Sequence, residues 1–337
     1  MRRMTAEWDN PTRILLTLPG KDTDWDYILE EATDQYASLL EALSEGRESV
    51  VLIADGELPE KIARIVEGMN AKVVKDIPFN DTWTRDYGPI TVEEDGKRLE
   101  LDFRFDGWGG KFAADRDNAI NRRLAESGVL EGERYRDCLD YTLEGGSVES
   151  DGKGTILTTT RCLCSPNRNG GKAKEEVGKI LAERLGAERV IWLDYGYLAG
   201  DDTDSHIDTL ARLAPDDTIL YVAPPLDYND EHYREMILMQ NQLKGLSTQS
   251  GKPYRLVALP FPDPVYDEEG HRLPATYANY LVTAENVYIP TYNQPENDAK
   301  AVAQIKKAFP HHRPITVNCE TLIKQHGSLH CSTMQLY

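Results

Sequence analysis

One order of signals recurs along this chain: a β-hairpin, then a helix-like stretch, then a short apolar strand. The first hairpin runs through residues 88–92, turns at Asp95-Gly96 and returns through 98–103. Asp-Gly between alternating strands is a strong hairpin signal, because a tight turn needs positive φ at both positions. Further hairpins are predicted around Asp151-Gly152, around Pro215-Asp216-Asp217, and from Tyr277 to Pro290. Helices are predicted over 25–43, 58–68, 117–127, 174–186, 230–246 and 297–309, with Ile28, Ala32, Tyr36, Leu39 and Leu43 at helical spacing. Apolar strands such as 50–53, 189–193 and 254–259 follow them.

Each hairpin opens on a polar residue that can do chemistry. Asp86, Glu144, His206 and Asn279 lie 58, 62 and 73 residues apart, and Cys331 follows 52 further on. A period of roughly 60–70 residues implies about five copies, and fixed-period repetition means a stacked or radial architecture. Units closed around an axis gather the leading residue of each hairpin on one central face, and closure protects sheet edges, as in propellers. The expected class is α/β, with about five hairpin–helix–strand copies either stacked or set around an axis. No linker or low-complexity segment interrupts residues 1–337, so a single domain is expected.

Composition narrows the partners. Hydrophobic residues make up 40% of the chain, enough for a full core, and the net charge is −19. Phosphates would be repelled, so neither nucleic acid nor an anionic membrane is an expected partner, whereas a small cationic substrate is compatible. No stretch approaches the roughly 18 apolar residues of a membrane span. The basic start, Met1-Arg2-Arg3, has no apolar run behind it, so no signal peptide is read; removing residues 1–7 is expected to be much milder for activity than removing residues 332–337. Five cysteines (138, 162, 164, 319, 331) show no disulfide framework, which fits a reducing cytoplasm. Cys162-Leu163-Cys164 is too tight for a zinc knuckle; on a strand both thiols would face one side as a buried pair.

Cys331 lies in a polar segment, 326–333, read here as a strand. Free cysteines are ordinarily small buried hydrophobes, while reactive ones sit in polar, partly exposed settings. Strand alternation would put His206 and Asp208 on one face and turn His330 away from Cys331, so His330 receives no base role. Plainer readings exist: a surface His206–Asp208 pair, an Arg85–Asp86 salt bridge, a turn at Glu144-Gly145-Gly146. Asp201, Asp202, Asp204, His206 and Asp208, with His326 and His330, also offer metal-type donors. No His-rich helix motif or second ligand pair accompanies them, so neither a metal nor a cofactor is expected. Taken together, the thiol, imidazole and carboxylates form a nucleophile, a base and a cation-binding set.

The ordered motifs extend this reading. Trp83-Thr84-Arg85-Asp86-Tyr87-Gly88-Pro89, Glu144-Gly145-Gly146 with Glu149, the 201–208 run and His330-Cys331 resemble the agmatine deiminase and bacterial-type peptidylarginine deiminase family. Segments 105–110, 166–169 and 273–277 are similar too, so the resemblance spans nearly the whole chain. It implies the pentein fold, a five-bladed α/β propeller with pseudo-fivefold ββαβ repeats, often in homo-oligomers. It also implies Cys331 as nucleophile, His206 as acid/base, Glu144 as its partner, and Asp86 and Asp208 clamping a guanidinium. Trp83, Trp108 and Asp202 would complete the substrate site. The chain departs from the family pattern at Asp202 (usually Glu), Ser205 (usually Gly), Ser147 (usually Asn) and in 325–329 before His330-Cys331.

The chemistry is coherent. A guanidinium is planar and resonance-stabilised and stays protonated to a pKa above about 12, so its hydrolysis needs a strong nucleophile and a fixed electrophile. Two carboxylates can each accept paired N–H bonds from it. Carboxylates alone would raise the thiol pKa, so a charged His206 or the incoming cation must stabilise the thiolate. The expected reaction converts agmatine and water to N-carbamoylputrescine and ammonia, a step toward putrescine. Deimination of peptidyl-arginine or free arginine, amidino transfer to an amine, and a non-catalytic guanidine-binding module are the alternatives.

Overall fold

The computed structural model describes residues 2–337. Its architecture is mixed α/β, with the described strands divided among five small sheets. Four sheets repeat one plan: an antiparallel hairpin whose second strand pairs in parallel with a third, reached through a helix. In chain order the hairpin strands are Ile90–Glu94 with Lys97–Arg104, Val148–Ser150 with Thr155–Thr159, Ala211–Ala214 with Thr218–Val222, and Leu281–Val282 with Asn286–Thr291. The parallel strands are Tyr135–Thr142, Arg189–Leu193, Arg255–Leu259 and Arg313–Asn318. Helices Ile120–Glu126, Lys174–Leu185, Tyr233–Lys244 and Pro295–Ala308 make the crossovers, because parallel neighbours need a long connection.

The fifth sheet is built from both ends of the chain. Met334–Leu336 pairs antiparallel with Arg13–Thr17, Met334 opposite Leu15. Val50–Ala54 and Ala71–Lys75 then add in parallel, through helices Leu29–Glu45 and Glu60–Glu67. Local chemistry explains the turns. Asp95 and Gly96 take φ of 50° and 78°, and Asp216 and Asp217 take 57° and 53°, the left-handed region that two-residue hairpin turns require.

Burial grades across each sheet. The leading strands Val148–Ser150, Ala211–Ala214, Leu281–Val282 and Met334–Leu336 are wholly buried although they are sheet edges. The far strands Ala71–Lys75 and Arg313–Asn318 are partly exposed. Edges with unpaired backbone groups are thus kept from solvent. The buried apolar side chains of all five sheets form one cluster. No helix among the described residues is long and apolar enough to cross a membrane.

Several local expectations are corrected. Residues 207–209 form a 3₁₀ turn, so the third hairpin starts at Ala211. Cys162 lies on the helical turn Thr160–Leu163, whose first N–H groups are capped by the Thr159 hydroxyl; Cys162 is buried and Cys164 only half-buried. Residues 329–332 are a turn leading into Met334–Leu336, not part of a strand. The amino-terminal residues, expected to matter less than residues 332–337, are nonetheless tied into the fold. Arg2–Met4 pairs antiparallel with Ile90–Glu94, and the Tyr337 hydroxyl donates to the Ala6 carbonyl at 2.9 Å.

Candidate active site

The residues that open the repeats converge. Asp86, Glu144, His206, Asn279 and Cys331 each stand just ahead of the leading strand of a different sheet. Three of them lie on or beside tight helical turns: Thr84–Tyr87, Gly145–Ser147 and Ile207–Thr209. A cavity of about 520 Å³, open mouth included, is lined by Trp83, Asp86, Trp108, Phe112, Asp202 and Cys331, with Asp24, Asp81, Asp201, His326 and others at its wall.

Gly146 explains how His206 and Asp208 join Asp86. A Cβ on Gly146 would stand 2.7 Å from His206 Nδ1, 2.8 Å from Asp86 Oδ1 and 3.1 Å from Asp208 Oδ2. Three charged or titratable groups from two segments therefore close on one glycine backbone. Gly145 is as constrained, since a Cβ there would meet the Arg85 carbonyl at 2.2 Å. The Glu-Gly-Gly motif is a turn, and it is also the floor of this cluster.

Asp86 is buried and accepts two bonds, from Trp108 Nε1 at 2.9 Å and from the Gly146 N–H at 3.0 Å. The plain Arg85–Asp86 pairing is replaced by contacts of Arg85 with Gln335 at 2.5 Å and Glu7 at 3.4 Å. Burial, then the Asp208 charge, pushes the Asp86 carboxyl up to about 8. His206 Nδ1 stands 3.6 Å from Asp86 Oδ1. Burial drives the His206 pKa down to about 3, so the ring is neutral and its charged form does not stabilise a thiolate. The Cys331 thiol, 7% exposed rather than partly open, sits 3.4 Å from Asn279 Oδ1. Burial and the two aspartates, 208 and 86, hold its pKa well above the ordinary thiol range.

Asp208 is held differently. Burial favours its neutral form, but a 2.7 Å bond from His330 Nδ1 and neighbouring rings and cations outweigh that and leave it below the usual range. Asn279 Nδ2 donates to the same Oδ2 at 3.2 Å, while Oδ1 is buried without a partner. His330 does not turn away from the cluster, because no strand alternation operates on the turn at 329–332.

Glu144 is fully buried and bonds Arg168 Nε at 2.7 Å through one oxygen. Its Oε2 and His206 Nε2 are both buried without hydrogen-bond partners. Donor atoms of Glu144, His206 and Cys162 lie within 4.8 Å of one another, one of three such groupings among the described residues, beside Glu7, Glu149 and His330 and beside Asp267, Glu269 and His271. At Glu144 the Arg168 guanidinium already supplies positive charge. The 201–208 acidic run does not act as one set. Asp201 binds the Ser205 N–H at 2.7 Å and the Thr203 N–H at 3.0 Å, whereas Asp204 pairs with Arg168 and Lys111.

Trp108 occupies a left-handed backbone, φ 56°, between Gly107 and Gly109. A bulky residue there costs on the order of 1–3 kcal/mol, which its bond to Asp86 and its edge-to-face contacts with Phe105 and Phe112 must offset. Ser205 is also left-handed, φ 68°, which rationalises a glycine elsewhere in the resembling family. Sequence reasoning assigned no role to Asn279, Arg168, His330 or Glu7. Asn279 carried a signal, as the fourth member of the period; Glu7 carried none.

A buried thiol and Asp86 at one small cavity, with a neutral imidazole and a second carboxylate closing on Asp86 behind them at Gly146, define a class of site suited to covalent attack on a planar cation. A family model for the Porphyromonas-type peptidyl-arginine deiminase matches residues 3–336, and the chain belongs to that family. It is 29% identical over 357 residues to the agmatine deiminase of Pseudomonas aeruginosa (strain LESB58), covering 99% of this chain and 95% of that one. A C. jejuni agmatine deiminase with a cysteine-to-serine substitution and substrate bound matches with TM-score 0.91 at 36% identity, covering 100% of this chain and 96% of that one. A crystal structure provisionally named a peptidyl-arginine deiminase matches with TM-score 0.94 at 41% identity, covering 100% and 98%.

Proposed function

We propose that this chain is an agmatine deiminase: a single-domain, five-bladed α/β propeller of the pentein type acting in a reducing cytoplasm. The four sheets of one plan, a fifth that closes the chain ends with the same antiparallel-then-parallel pairing, the single apolar cluster and the five free cysteines support that setting. The observation that carries the function is the closure of Asp86, His206 and Asp208 on Gly146, beside a cavity that Cys331 also lines.

The electrostatics give the order of events. The empty site rests as a thiol, a neutral imidazole and a partly protonated Asp86. A guanidinium entering between Asp86 and Asp208 favours both carboxylates in their ionised forms and displaces the Asp86 proton. The same cation lowers the cost of a Cys331 thiolate. Sulfur attacks the central carbon, and the thiol proton reaches the leaving nitrogen through His206. The C–N bond breaks, ammonia departs, and an amidino group remains on sulfur through a new C–S bond. His206 then takes a proton from water, whose oxygen attacks the same carbon. Loss of the C–S bond returns the thiol and leaves a neutral carbamoyl product, and the freed proton makes ammonium from ammonia. One residue thus serves as acid and then base. Glu144, tied to Arg168, faces His206 from behind.

Asp24, Asp81, Asp201 and Asp202 contribute to the cavity wall. They favour a substrate ending in an ammonium over one ending in a carboxylate. The test is product detection with agmatine, arginine and a peptidyl-arginine side by side. Agmatine is expected to give N-carbamoylputrescine and ammonia with at least about 10-fold higher kcat/KM than arginine. Quenched enzyme should carry extra mass on the Cys331 peptide. Faster turnover of peptidyl-arginine would replace this reading with protein deimination, which the family name also accommodates.

A further inference from the structure

Behind the pocket, the carboxylate of Asp208 is the end of a buried chain that reaches the amino terminus. Asp208 Oδ2 meets His330 Nδ1 at 2.7 Å, and His330 Nε2 meets Glu7 Oε1 at 2.5 Å. Both contacts are within hydrogen-bond distance, so the ring is held between two carboxylates, one at each nitrogen. His330 is 1% exposed and the Glu7 side chain 16%. Arg212 crosses the same junction, 2.7 Å from Glu7 Oε2 and 3.1 Å from His330 Nε2, and Arg85 stands 3.4 Å from Glu7. Arg212 is itself fixed by Glu149 and by stacking on the Tyr280 ring at 4.6 Å.

We propose that Glu7, working through His330, is a positioning residue for Asp208. Holding Oδ2 leaves the unpartnered, buried Oδ1 as the oxygen free to meet the substrate. A carboxylate that must accept from a planar fork needs a fixed plane as well as a charge, and a ring held at one nitrogen only can swing about its χ2. Glu7 is in turn placed by its neighbours: Thr5 N–H donates to the Thr91 carbonyl at 3.2 Å, and Tyr337 holds Ala6. The first residues of the chain thereby set the geometry of a pocket they do not line.

This inference rests on the guanidine-clamp reading of Asp208, and the test separates the two. Agmatine binding is measured by calorimetry on full-length Cys331→Ser protein, and kcat/KM on the enzyme with its cysteine intact. Glu7→Ala is expected to lower kcat/KM on the order of 10-fold or more and to weaken binding in the same sense. Glu7→Gln, whose amide can donate to His330 Nε2 and keep Nδ1–H toward Asp208, is expected to recover most of the loss. In an Asp208→Asn background Glu7→Ala should add little, because the group it positions is gone. Two results would overturn the proposal: a Glu7→Ala loss that multiplies undiminished on Asp208→Asn, or Glu7→Gln as damaging as Glu7→Ala in a folded protein. Failure of Cys331→Ser protein with native Glu7 and Asp208 to bind agmatine would instead remove the clamp reading itself.

Discussion

Residue chemistry here turns on which groups are charged before the substrate arrives. Burial leaves Cys331 and His206 neutral, and Asp86 titrates at about 8. Cation binding therefore releases a proton from Asp86 at any pH below that value. The expected profile of kcat/KM rises about tenfold per pH unit on approaching 8 and levels off above it. Asp208 is, after burial, the leading cause of the rise, so Asp208→Asn should move the midpoint of agmatine binding to lower pH while weakening binding overall. A flat profile between pH 6 and about 8 would place the titrating group elsewhere. Cys331→Ala is expected to abolish turnover, by on the order of 10³-fold or more, with an unchanged circular dichroism spectrum. Cys162→Ala makes the informative control. Cys162 lies beside Glu144 and His206, so Cys331 is not alone near the cluster, yet the covalent mass should stay on the Cys331 peptide. Loss of turnover and of the Cys331 adduct in folded Cys162→Ala protein, or mass on the Cys162 peptide of the unsubstituted enzyme, would reassign the nucleophile.

At the scale of elements, what was legible and what was not divides by length of signal. Helix Lys174–Leu185 and strand Arg189–Leu193 fall almost where periodicity put them, because apolar spacing over five or more residues is strong evidence. The side chains proposed for the chemistry sit instead on or beside three- and four-residue turns, too short to carry a period. Reading 326–333 as a strand made the Cys331 setting look open and sent His330 to the wrong face. Treating 207–208 as strand still brought His206 and Asp208 together, but for a reason the turn does not share. The glycines show what those turns need. Gly146→Ala would press a methyl against His206, Asp86 and Asp208 at 2.7–3.1 Å. It is expected to cut kcat/KM on the order of 10²-fold and to cost about 1–3 kcal/mol of stability. Gly132→Ala, with nothing within 4 Å of the added carbon, should change neither. Equal activity of both variants, measured beside their thermal unfolding, would show that the cluster has room to spare.

Across the whole molecule, the repeat was readable because four of its copies are contiguous, each hairpin followed by its own helix and third strand. The fifth sheet was not, since Met334–Leu336 and Arg13–Thr17 are joined only by folding, and no local pattern marks strands more than 300 residues apart. The same non-local closure ties down the amino terminus, for which the sequence suggested only a milder effect of deletion than for residues 332–337. Residues 332–337 are all buried, Met334–Leu336 completes a sheet, and Tyr337 reaches back to Ala6. Both chain ends therefore meet beneath Cys331 and His330. Deleting 332–337 removes a strand next to the proposed nucleophile, while deleting 2–7 removes a strand on Ile90–Glu94 and the Glu7 contact with His330. Chain ends ordinarily fray and tolerate trimming. Here both truncations are expected to lower the unfolding temperature and to reduce agmatine turnover at least about 10-fold, the carboxy-terminal one more severely because a displacement of about 1 Å at the thiol costs on the order of 10²-fold. Thermal unfolding and kcat/KM of the two truncated proteins decide the matter. Full activity after loss of 2–7 would mean that the amino-terminal strand only covers the first sheet; full activity after loss of 332–337 would mean that Cys331 needs no fixed strand beside it and is not the attacking group.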